Sequence, residues 1–85
     1  MAKTTLTFTK VGQQYECEYT GDSGVLQLVL AEDAQVSIFG DAGAGYGALG
    51  ILSGRDVMCT LNMDGLDKVK IVSYAPVTSG LVHTF

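Results

Sequence analysis

Gly45-Tyr46-Gly47-Ala48-Leu49-Gly50 has the spacing G-x-G-x-x-G, the one stretch of this chain that looks like a phosphate cradle. In a dinucleotide site those glycines follow a strand and open a helix whose N-terminus takes the pyrophosphate. Here Ile51-Leu52-Ser53-Gly54 follows at once and stops any helix, and no Gly-Lys-Ser/Thr is present. The stretch therefore reads as a connection, with Tyr46 standing between small residues as an exposed contact or as a ring that pins the loop. Asn62, Asp64 and Asp67 resemble calcium spacing in part. The bidentate glutamate of an EF-hand would fall at Ser73, and the second helix is missing, so turn chemistry accounts for them. Glu16 and Glu18 project together from one strand face, with no cleft to make them a glycosidase pair. His83 is the only histidine and lies near the last residue; Cys17 and Cys59 sit among apolar neighbours, where a thiol is inert. No nucleophile, base and orienting acid can be assembled from these. The expectation is a non-enzyme with no cofactor and no metal.

Composition sets the outer limits. The chain has 85 residues, 47% of them apolar, 16% charged and none tryptophan, enough for one domain with a Val/Leu/Ile core. The net charge of −4, with Lys3, Lys10, Arg55, Lys68 and Lys70 scattered, speaks against nucleic acid, whose binding needs clustered cations. No apolar run approaches the roughly 20 residues of a membrane span. The first residues carry no secretory h-region, so the expected setting is the cytoplasm, with Cys17 and Cys59 free rather than paired.

The elements are legible from alternation. Leu6 and Phe8 oppose Thr5, Thr7 and Thr9, and Tyr15, Cys17 and Tyr19 oppose Glu16 and Glu18; Val11-Gly12-Gln13 between them makes a hairpin. Val25–Ala31 is apolar on both faces. Ala34–Phe39 alternates again after a corner at Glu32-Asp33. Gly40–Gly50 is expected to be the hinge between two β-rich halves, residues 2–39 and 51–85, the glycine-rich connection as a whole running over 40–54. Beyond it, Val57, Cys59 and Leu61 share a face, Asp64-Gly65 makes a turn, and a single helical turn fits at Gly65–Asp67. Val69 and Ile71 then oppose Lys68, Lys70, Val72 and Tyr74, and Pro76 precedes a last extended segment to Phe85. The sum is an all-β domain, 1–85, of seven or eight short strands in a sandwich or jelly-roll-like barrel with little or no helix.

Leucines at 26, 28 and 30, or the opposite pair Val25 and Val29, together with Val72 and Tyr74, give more apolar faces than a thin two-layer domain can cover. Apolar surface of that extent marks contacts with other chains; the competing expectation is that the glycine-rich stretch or the C-terminal segment folds over the face within the one chain. Leu26, Leu28, Leu30, Val72, Tyr74 and Tyr46 are accordingly the expected interface residues. A monomeric module recognising carbohydrate or protein through the glycine-rich loop and Tyr46 is the alternative.

Gly-Asp-Ala-Gly-Ala-Gly-Tyr-Gly-Ala, Leu-Ser-Gly-Arg-Asp-Val and Val-Lys-Ile-Val-Ser, in a single unsignalled β domain, resemble in style the small decoration, head-fibre and tail-associated proteins of bacteriophages. The resemblance implies a virion structural protein, a homo-oligomer with three-fold assembly favoured, docking on capsid or tail proteins. No functional residue carries over from it.

Overall fold

The computed structural model describes residues 2–85. Seven strands follow one another: β1 (Lys3–Thr5), β2 (Thr9–Val11), β3 (Gln14–Tyr19), β4 (Gly24–Asp41), β5 (Tyr46–Leu61), β6 (Lys68–Ser73) and β7 (Val77–Thr84). All pairings are antiparallel, in the order β1-β7-β4-β6-β3-β2, with β5 on the other edge of β4. No helix occurs among the described residues; Met63–Leu66 is a turn closed by the Leu66 N–H on the Met63 carbonyl, with Gly65 at φ +80°. The all-β class expected from alternation is what the chain adopts, as a curled sheet or half-barrel.

Two strands are far longer than expected, and they create the curl. Glu32-Asp33 does not end a strand. β4 runs through it as an 18-residue strand, with a register shift against β5 between Val29↔Asp56 and Ala34↔Gly54. An irregularity of this kind bends a strand and increases its twist. Before the bend β4 pairs β7 through Gly24–Leu30; after it, β4 pairs β6 through Val36–Asp41. One strand thus feeds both walls of the half-barrel.

The glycine-rich stretch is likewise strand, not connection. Only Ala42–Gly45 lies outside β4 and β5, with Gly43 at φ +118° and Gly45 at φ +95° supplying the turn. Inside the ladder, closeness requires glycine at Gly24, where a Cβ would stand only 2.4 Å from the His83 carbonyl oxygen; one on Gly40 would stand 2.8 Å from Cδ1 of the exposed Leu49, a side chain free to move aside. The expected first hairpin forms only in part: the arm carrying Leu6 and Phe8 is broken, Lys3–Thr5 pairing β7 while Thr9–Val11 pairs β3, and Gly12 (φ +63°) is the single positive residue of a two-residue connection after Val11.

The core fills the concave side. Leu26, Leu28, Leu30 and Val82 from one wall meet Val36, Val69 and Ile71 from the other, all at 1% exposure or less. Leu6, Cys17, Tyr19 and Val57 belong to the same cluster. Cys17, Tyr19, Val69 and Ile71 point inward as their alternation requires. Ser73, fully buried, keeps its hydroxyl satisfied by donating to the Ala75 carbonyl at 2.7 Å and accepting from the Ala75 N–H at 3.2 Å.

Candidate functional site

Tyr46 opens β5 and lies over the convex face of β3 and β6. Its hydroxyl donates to Glu18 Oε2, and Lys68 Nζ and Lys70 Nζ stand 5.2 and 5.5 Å from its ring centre. Those lysines also pair with carboxylates, Lys70 with Glu16 at 3.2 Å and Lys68 with Glu18 at 3.8 Å. The positions follow from register, since Glu18 is opposite Lys70 and Asp41 opposite both Tyr46 and Lys68. Asp41 closes the adjoining turn, accepting from the Gly43 N–H at 2.7 Å and the Gly45 N–H at 3.2 Å. Partial desolvation, the bond to Glu18 and the charges of Glu18 and Asp41 push the Tyr46 phenol up to about 12. A phenol held protonated in this way is neither base nor nucleophile at neutral pH. The cluster clamps the tip of the β4–β5 hairpin, and Tyr46 pins it to a polar sheet face rather than to the core.

The other expected interface residues do not form one surface. Leu26, Leu28 and Leu30 are 0, 0 and 1% exposed within the single chain, so contact with another molecule is closed to them. The opposite wall of the curled sheet covers the leucine face, with Val36, Val69 and Ile71 in the same cluster. Their strand neighbours Val25 and Val29 lie half-buried on the convex side. Val72 also points outward, opposite Glu16 and Ser37, yet is shielded to 4% exposure and stands outside the core cluster. Tyr74 alone is openly exposed, at 45%. The accessible surface, 4916 Å², matches the roughly 4,800 Å² expected of a folded monomer of this mass, so folding leaves no large excess to cover.

The exposed apolar residues are elsewhere. β5 pairs β4 along one edge and, among the described residues, pairs nothing along the other. Leu49 (56%), Ile51 (64%) and Met58 (59%) are exposed on it. Beside this edge a groove of about 340 Å³ opens into the half-barrel, lined by Ile38, Leu52, Cys59, Leu61, Leu66 and Val69. The remaining edges differ. β1 and β2 are three residues each and carry Lys3 and Lys10, two devices that discourage strand addition. From Tyr46 to Gly54, β5 has no charge and no proline. Leu49 and Ile51 lie among glycines that read as a connection, so the sequence does not show that they form an edge.

Cys17 and Cys59 are free thiols, and burial pushes both up from their ordinary range. His83 is half-buried on β7 opposite Lys3 and Val25. Among the described residues no group of three or more His, Cys, Asp or Glu comes together to hold a metal, and no helix is long and apolar enough to cross a membrane. Comparison with protein-family models, with curated proteins and with solved structures returned no match to this chain.

Proposed function

We propose that this chain is a non-enzymatic assembly protein that associates with other protein by strand addition at β5. The observation that carries the reading is the asymmetry among edges: among the described residues the long one is unpaired and, from Tyr46 to Gly54, free of charge, with Leu49, Ile51 and Met58 exposed on it, whereas the short ones carry lysine. Unpaired backbone groups along an edge offer a ready template for another strand, and side chains flanking them set specificity. The narrower role, a component of a bacteriophage virion such as a capsid decoration, head fibre or tail protein, draws its support from the stylistic resemblance of the sequence. Tyr46, already engaged by Glu18 and two lysines, supports recognition through the glycine-rich turn less well.

Light scattering on the purified chain tests the reading. A mass above that of one chain at micromolar concentration is expected, reduced to one chain by Ile51→Lys combined with Met58→Lys. A single-chain mass at every concentration, with β5 amides exchanging freely, would overturn it.

A further inference from the structure

We infer that the partner at this edge is a second copy of the chain, paired antiparallel about a two-fold axis at Met58; the inference rests on the reading of β5 as the docking edge. Among the described residues, the short lysine-bearing β1 and β2 leave β5 as the one long edge able to complement β5, which makes the contact isologous, the same patch on both copies. Only part of that edge is regular. Its first half is broken where Leu49 stands unpaired between Ile38↔Gly50 and Phe39↔Ala48, and again at Gly54 (φ +141°). Asp56–Leu61 pairs residue for residue with Gly24–Val29, and its outer side is free.

Symmetry then limits the register. Residues opposite one another in an antiparallel ladder project to the same face, and a two-fold axis normal to the sheet preserves the faces. Paired positions must therefore be an even number apart, so the axis passes through a residue. An axis at Asp56 would set two carboxylates directly opposite, which is repulsive. Axes at Val57 or Thr60 leave only three regular residues paired on each copy. An axis at Cys59 centres on a side chain that faces its own core cluster and leaves Met58 against Thr60. With the axis at Met58, five residues pair, Asp56 faces the Thr60 hydroxyl, and each exposed Met58 side chain covers the other. A ladder of this length lies at the small end of specific interfaces, so the pair forms reversibly and depends on concentration. It is a two-fold contact, unlike the three-fold assembly that the sequence resemblance implies.

Cross-linking decides it. In a background with Cys17→Ser and Cys59→Ser, Met58→Cys is expected to give a disulfide-linked dimer on mild oxidation, because the two sulfurs meet at the axis. Thr60→Cys alone should not cross-link, whereas Asp56→Cys mixed with Thr60→Cys should. Cysteine changes at Cys17 can weaken the fold, so the unaltered chain supplies a second measurement. Amide exchange across Asp56–Thr60 should slow as protein concentration rises. A self-associated species that Met58→Cys fails to link, including one with the mass of three chains, overturns the Met58 pair and leaves the edge reading standing. A single-chain mass throughout, with exchange at Asp56–Thr60 independent of concentration, removes both.

Discussion

Leu28 and Gly80 face each other across β4 and β7, and the pair gives a sharp test of the core. A Cβ added to Gly80 would lie 2.9 Å from Leu28 Cδ2, 3.2 Å from Phe8 Cε1 and 3.6 Å from Leu6 Cβ. Leu28 is completely buried and cannot swing away, so Gly80→Ala overpacks the site. Overpacking costs about 1–3 kcal/mol, against which the stiffer unfolded chain returns about 0.4–1 kcal/mol. The net expected loss is about 1 kcal/mol. Leu28→Ala opens a cavity in the centre of the cluster and should cost about 3 kcal/mol. In the double variant the new methyl borders the space that Leu28 Cδ2 has left, and only the edge of the half-buried Phe8 ring must give. Two changes that would cost about 4 kcal/mol if independent should then cost about 2.5 kcal/mol together, a coupling near 1.5 kcal/mol. Urea denaturation with linear extrapolation measures all four corners of the cycle. For 85 residues a total stability of about 4–13 kcal/mol leaves room for each. If the losses add to within about 0.5 kcal/mol, Gly80 does not abut Leu28 and the packing of β7 on β4 is wrong.

The Tyr46 clamp predicts an alkaline signature. Its phenol is pushed up to about 12, above the ordinary value near 10 that applies in the unfolded chain. The stability it contributes is therefore complete below pH ~10 and lost as pH rises through 12; tyrosinate absorbance should show a late step that Tyr46→Phe removes, and an unchanged titration in that variant would refute the clamp. Ser73→Ala should cost about 1–3 kcal/mol in thermal or urea unfolding, because it strands the buried Ala75 N–H without a partner. A neutral result would mean that water reaches that turn.

Sequence alone determined which side of most strands faces inward. A period of two sorts Leu6 from Thr5 and Thr7, Cys17 and Tyr19 from Glu18, and Val69 and Ile71 from Lys68 and Lys70, since successive side chains on a strand point to opposite faces. It also located the Gly12 hairpin and the Asp64-Gly65 turn, whose chemistry is local. What it did not determine was how far each strand runs. Gly47 and Gly50 argue for a loop by propensity, yet pairing with β4 holds them extended, because a long ladder outweighs the preference of single residues. In the same way Glu32-Asp33 became a bend inside β4, not its end.

The candidate site depended on that difference. Alternation identifies an apolar face, but whether the face is core or contact depends on what the curl brings over it. Leu26, Leu28 and Leu30 were legible as a face and not as interior, because the opposite wall comes from residues far along the chain, such as Val69, Ile71 and Val82. An unpaired edge is less visible still. It is a property of which strand ends the sheet, and only the tertiary arrangement decided that β5 does.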